Sequence, residues 1–243
     1  MLTALRLFDA RILLWLNHPV ANHPWLFRVA LLLTDKLGDA ATLATIAWLW
    51  FWRERAGASD VPMSRAESRA RVIIFAAAGM AAYVTARLIA FAVNADRPFA
   101  TFLPVHGIPG AFDGLRTFGS FPSDHAALLG ALPVALLYWN RRAAWIWTGI
   151  AALLVVARVA VGFHYPSDML AGAAIGALFT IVAMWLFDHA AIIRRPVLWI
   201  ARLFERPPVN YLLYALGALA VVEFLMHFRH VLWLMFVLKS MAH

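Results

Sequence analysis

The residues of this sequence that can do chemistry fall in three short segments: Arg97 with Pro98, then Ser123, Asp124 and His125, then Arg158, His164 and Asp168. Their types are complementary. The guanidiniums of Arg97 and Arg158 offer fixed charge and planar forks that match phosphate oxygens. The imidazoles of His125 and His164 can serve as nucleophile and as general acid near neutral pH. Asp168 follows His164 across Tyr165-Pro166, so its carboxylate can turn back and hold a ring in one tautomer.

Two of the segments share a local pattern, Phe121-Pro-Ser-Asp and Tyr165-Pro-Ser-Asp. Proline suits the first helical turn and Ser or Asp caps it, so both read as helix starts. Free N–H groups and the positive end of a helix dipole favour an anion. Each feature has a plain reading on its own: an ordinary cap, an interface histidine, an arginine snorkelling to lipid headgroups. On one membrane face they read together as an anion pocket, because ionisable groups at membrane depth are costly.

The elements that must position these residues are membrane helices. The chain is 63% hydrophobic and 14% charged, with 11 Trp and 17 Phe. Soluble domains carry roughly 25% charged residues, and aromatic rings favour membrane interfaces. The alternative is an apolar soluble helical protein. With Cys 0, disulfides and thiolate chemistry are excluded. No removable signal peptide is visible at the N-terminus.

Spans of about 20 apolar residues are expected near 39–52, 72–93, 124–139, 143–163, 169–187 and 211–226. The fold class is therefore all-α, a polytopic bundle of about six spans. Residues 1–38 carry Arg6, Asp9 and Arg11 and are broken at His18-Pro19 and His23-Pro24. They read as an interfacial or re-entrant helix pair, with a true span as the alternative. Residues 39–188 would form the catalytic core, and 189–243 a basic amphipathic linker with a further span.

The net charge of +8 points to topology and not to nucleic acid. Arg53, Arg55, Arg65, Arg69 and Arg71 crowd one connection, Arg141 and Arg142 a second, and Arg194, Arg195, Arg202 and Arg206 a third. Alternating spans put all three on one side, which the positive-inside rule makes cytoplasmic. The connections at 95–122 and 163–166 then share the opposite face. Gly172 and Gly176 suit close helix packing.

At these residues the chain resembles the type 2 phosphatidic acid phosphatase superfamily, the lipid phosphate phosphatases. That family's pattern is Lys, six residues, Arg-Pro; then Pro-Ser-Gly-His; then Ser-Arg, five residues, His, three residues, Asp. The matching segments here are Arg97-Pro98, Pro122-Ser123-Asp124-His125, and Ala157-Arg158 with His164 and Asp168. The resemblance implies that His164 is the nucleophile, oriented by Asp168. It implies that His125 protonates the leaving oxygen and then activates water. Arg97, Arg158, Ser123 and the amides near Asp124 would hold the phosphoryl oxygens, with no metal and no cofactor.

The chain departs from the pattern where Ala90 replaces the lysine, Asp124 the glycine and Ala157 the serine. Arg87 lies one turn before Ala90, about 15 Å below Arg97 if the helix runs unbroken. It either reaches up toward phosphate or is a buried arginine paired elsewhere. Asp124 either caps its helix or handles a proton. Ser-Phe-Pro-Ser-Asp-His and Gly-Phe-His-Tyr-Pro-Ser-Asp look like the bacterial undecaprenyl-diphosphatase branch. The expected function is therefore removal of a phosphate from a polyprenyl diphosphate in the inner membrane, on its periplasmic face. Other lipid phosphates, transfer to an acceptor lipid, and a phospholipid-binding or transport role are the alternatives. The Gly- and Pro-containing connection at 99–120 is either a gate over the site or a plain surface loop.

Overall fold

The computed structural model describes residues 2–34, 38–51, 63–101 and 119–206, with residues 212 and 214. The expected span at 211–226, the gate at 102–118, and Arg53 and Arg55 lie outside the described residues. Among the described residues every element is helical. In chain order they are α1 (Leu2–Asn22), α2 (Pro24–Leu32), α3 (Gly38–Trp50), α4 (Arg65–Val93) and α5 (Pro98–Thr101). There follow α6 (Asp124–Leu136), α7 (Arg141–Ala160), α8 (Pro166–His189) and α9 (Ala191–Leu203). By length and composition α4, α7 and α8 can each cross a bilayer; α6 and most of α3 are shorter apolar helices.

The helix starts obey local capping chemistry. The Ser64 side chain accepts from the Glu67 N–H at 3.2 Å, Ser123 from Ala126 at 3.3 Å, and Asn140 from Ala143 at 2.9 Å. Each bond satisfies an N–H that the helix cannot. One expected break is absent, since α1 continues through Pro19. Pro19 removes one bond of the backbone ladder, and three residues on the Asn22 side chain donates to the His18 carbonyl at 2.9 Å. The break at His23-Pro24 stands, with His23 extended and Pro24 opening α2.

Helices α4, α6 and α8 form the tight centre, filled by Ala82, Ala86 and Ala127 with Ile175 and Phe179. Small residues let backbones approach where lipid supplies no hydrophobic drive between helices. A Cβ on Gly172 would sit 2.1 Å from the Ser123 carbonyl oxygen, and one on Gly176 1.7 Å from that of Ala127. A Cβ on Gly130, a position with no signal in the sequence, would sit 2.3 Å from the Ala173 carbonyl oxygen. Gly176→Ala should therefore force the helices apart and lower the unfolding temperature in detergent, by about 1–3 kcal/mol of overpacking or more. Gly149 of α7 has open space around it. Gly149→Ala should leave stability unchanged or raise it through helix propensity. Equal behaviour of the two variants would refute the close-approach argument.

The expected assignment of Arg69 and Arg71 to a basic connection is corrected. Both are buried within α4. Arg71 pairs with Asp188 at 2.8 Å and Arg69 donates to the Phe204 carbonyl at 3.1 Å. They tie α4 to the end of α8 and to α9, because an internal acid neutralises Arg71 and aromatic rings flank both guanidiniums. Trp139 closes the same end by donating to Ser68 at 2.8 Å.

At the other end, the finish of α4 and α7 meets the start of α6 and α8. The Ser123 N–H donates to the Asp168 carbonyl at 3.1 Å, and the Phe99 N–H to that of Gly162 at 3.1 Å. The connections expected to share a face do meet there.

Candidate active site

Helix α7 stops because Gly162 takes φ 80°, a left-handed value that costs glycine nothing. The Phe163 N–H then returns to the Arg158 carbonyl at 3.1 Å, closing the helix end. The corner delivers His164 inward, 2% exposed. Its Nδ1 lies 2.9 Å from the Ser120 carbonyl, which only accepts, so Nδ1 carries the proton. Its Nε2 lies 3.1 Å from Arg97 Nη1, which only donates, so Nε2 presents its lone pair. Arg97 is braced by donating to the Phe163 carbonyl at 2.9 Å and the Gly119 carbonyl at 3.4 Å. A cation thus stands directly at the free nitrogen.

Burial pushes the His164 imidazole down from 6.5 to about 4; Asp168 opposes this, while Arg97 and Arg158 reinforce it. The ring is neutral, and nucleophilic, at neutral pH. Between pH 6.5 and 4 the unfolded chain binds this proton and the native protein does not, so stability falls as pH falls. The unfolding temperature should drop through that window, and the drop should be shallower in His164→Asn. An identical slope in both proteins would contradict the buried neutral ring.

Asp168 faces His164, as expected, but makes no hydrogen bond to it. Its Oδ2 is 3.7 Å from Nδ1, too far for a hydrogen bond. As the third residue of α8 it instead accepts from the Tyr165 N–H at 2.8 Å, satisfying the helix start. It also accepts from the Ser120 hydroxyl. Asp168 therefore holds His164 at one remove, through the residue whose carbonyl takes the Nδ1 proton. Ser120, fully buried, was absent from the sequence candidates. Its one signal is its place ahead of Phe-Pro-Ser-Asp.

The expectation of two open helix ends is also corrected. In α8 the Ser167 N–H and hydroxyl donate to Asp9 of α1 at 3.0 and 2.6 Å. In α6 the Ser123 hydroxyl takes the Ala126 N–H and Asp124 takes that of His125 at 2.7 Å. Carboxylates of the protein itself fill these anion sites. Asp9, noticed in the sequence only as a charge in an apolar stretch, is buried at 6% and locks α1 onto α8.

Arg87 lies within electrostatic range of Arg97, as does Asp124. Helix α4 ends at Asn94 in a left-handed cap (φ 48°), so it does not run unbroken to Arg97, and Arg87 pairs with Asp124. Asp124 in turn accepts from His125 Nδ1 at 2.7 Å. Ala90, at the family's lysine position, is buried where Gly119 crosses α4: a Cβ on Gly119 would meet the Ala90 carbonyl at 2.3 Å. Arg158 donates to the Thr34 carbonyl at 2.7 Å. It shares with His125 a small pocket whose other walls include Leu128, Leu129 and Leu154.

The structure thus gathers Arg97, His164, Asp168 and Ser123 directly, and places His125 and Arg158 on one adjoining pocket. Among the described residues no group of three or more His, Asp or Glu side chains is arranged to hold a metal ion.

The chain is similar to known membrane-lipid phosphatases. Lipid A 1-phosphatase of Rhizobium johnstonii is 33% identical over 165 residues, covering 64% of this chain and 66% of that protein. Undecaprenyl-diphosphatase BcrC of Bacillus subtilis is 32% identical over 139 residues, covering 57% of this chain and 68% of that protein. The crystal structure of a transmembrane PAP2 type phosphatidylglycerolphosphate phosphatase from Bacillus subtilis shares the fold. Its TM-score is 0.52 at 20% identity, over 77% of this chain and 88% of that one. Residues 70–192, which span every segment of the pattern, match the PAP2 superfamily, and the chain belongs to that family.

Proposed function

We propose that this protein is a membrane lipid phosphatase that removes the terminal phosphate of a polyprenyl diphosphate through a phosphohistidine on His164. The observation that carries the reading is the unprotonated Nε2 of a buried neutral His164, which accepts from Arg97 at 3.1 Å. A lone pair beside a fixed cation suits attack on a phosphoryl group, whose oxygens the cation receives.

In this reading the Nε2 lone pair forms the bond to phosphorus and the bond to the leaving oxygen breaks. His125 gives that oxygen its proton. The lipid monophosphate then departs, and His125 takes a proton from water as the water oxygen attacks phosphorus. The N–P bond breaks, and inorganic phosphate leaves. Arg97 and Arg158 hold the phosphoryl oxygens, Ser123 lies beside them, and Ser120 with Asp168 fixes the His164 tautomer. The leucine-lined pocket beside His125 would take the lipid side of the scissile bond. Residues 39–188 form the catalytic core within about six spans, and the site opens on the periplasmic face of the inner membrane.

Purified protein is given undecaprenyl diphosphate, lipid A, phosphatidylglycerol phosphate and phosphatidic acid, with EDTA present, and phosphate release is measured. Fastest release from the diphosphate supports the proposal. Preference for lipid A, the substrate named for one relative, would replace the substrate and keep the chemistry. Release only when an acceptor lipid is added would make the protein a transferase. Binding without release from any of the four would leave a lipid-binding role.

A further inference from the structure

Asp124 and Arg87 are polar where the family pattern has no counterpart, and the fold brings them together. Asp124 replaces a glycine on α6, and Arg87 lies one turn from Ala90, where the lysine would stand on α4. Arg87 Nη1 donates to Asp124 Oδ2 across the two helices. The other oxygen, Oδ1, accepts from His125 Nδ1 and from the His125 N–H, each at 2.7 Å. The Asp124 side chain is only 7% exposed. A charged group at that depth is tolerated when its lone pairs are filled, and here both oxygens are taken. The His125 ring meets Tyr83 edge-on, with centroids 6.4 Å apart, and lines the pocket shared with Arg158.

We infer that Asp124, clamped by Arg87, is a positioning residue that fixes His125 as its Nδ1–H tautomer and turns Nε2 toward the leaving-group oxygen. The inference rests on the phosphatase reading, in which His125 is the acid. Arg87 occupies the second oxygen, so the carboxylate cannot rotate away from the ring. Nε2 takes up a second proton before the transfer step, giving the imidazolium beside Asp124. The Nε2–H bond then breaks, the leaving oxygen gains that proton along with the electron pair of the broken P–O bond, and the neutral Nδ1–H tautomer remains. The Nδ1 proton stays between His125 and Asp124 throughout. The third departure, Ala157, has no such partner.

The test compares an alkyl phosphate, whose leaving alkoxide needs a proton, with p-nitrophenyl phosphate, whose leaving phenolate does not. Asp124→Gly should lower kcat/KM, which reports the phosphoryl-transfer step and not the later hydrolysis, about 10–100-fold on the alkyl ester and less than about 3-fold on the aryl ester. Arg87→Gln should move both in the same direction by less, and Arg87→Lys should restore the wild-type ratio. Equal losses on the two esters, or none, would overturn the inference. If Asp124→Gly does not fold, the Arg87 pair carries the same comparison. Imidazole nitrogen NMR provides a readout independent of turnover: His125 should show the Nδ1–H tautomer in the native protein and lose it in Asp124→Gly. A wild-type protein that releases no phosphate sinks the phosphatase reading. An Nε2–H tautomer sinks the inference alone.

Discussion

His164→Ala is expected to abolish phosphate release, by about four orders of magnitude or more in kcat, the scale on which removing a nucleophile from a coupled set acts. The argument is geometric. Nε2 is the only ring nitrogen left unprotonated by the Ser120 carbonyl at 2.9 Å, and it stands against Arg97. Retained binding would distinguish lost chemistry from lost structure, since the phosphate cations survive the substitution. The variant leaves the Ser120 carbonyl without its donor at a cost of about 1–3 kcal/mol, so a modest drop in unfolding temperature accompanies it. A covalent phosphoenzyme should form in the native protein and not in the variant. Turnover within tenfold of wild type would move the nucleophile elsewhere, and His125 would be next in line.

The local part of this site was legible in the sequence. Caps, proline positions and the glycine corner depend on a few neighbouring residues, and Pro-Ser-Asp declares itself wherever it stands. Apolar runs of sufficient length located α7 and α8 to within a turn or so, while α4 starts at Arg65, before the expected Val72, because its first turns carry the buried Arg69 and Arg71. What escaped was every partner chosen by packing. Asp9 meets Ser167 from the far end of the chain, and Arg87 meets Asp124 across two helices. No spacing rule connects such pairs. The reading of two open helix ends failed for the same reason: an N-terminal turn attracts any anion, and these attracted carboxylates already in the fold. Asp168 shows the competition within one residue. Its position suited both the His164 ring and the start of its own helix, and the orphan N–H of Tyr165 lay closer.

Arg97→Lys should lower kcat/KM by about 10²–10³, or about 2.7–4 kcal/mol, the range seen when one preorganised donor to developing charge is removed. The charge is conserved in this variant, so the loss must come from shape. The Arg97 guanidinium spans the Phe163 carbonyl, the Gly119 carbonyl and His164 Nε2 at once. An ammonium on a flexible stem cannot hold that fork. Two carbonyls braced against one nitrogen set leave the remaining donor surface aimed at the nucleophile, where a phosphoryl oxygen would replace Nε2 as acceptor. The defect should therefore fall on kcat as well as KM, because the fork meets the charge that builds as phosphorus is transferred. A lysine variant with kcat unchanged and KM alone raised would reduce Arg97 to a ground-state anchor. The transition-state charge would then rest on Arg158, whose fork is held at the pocket wall by Thr34.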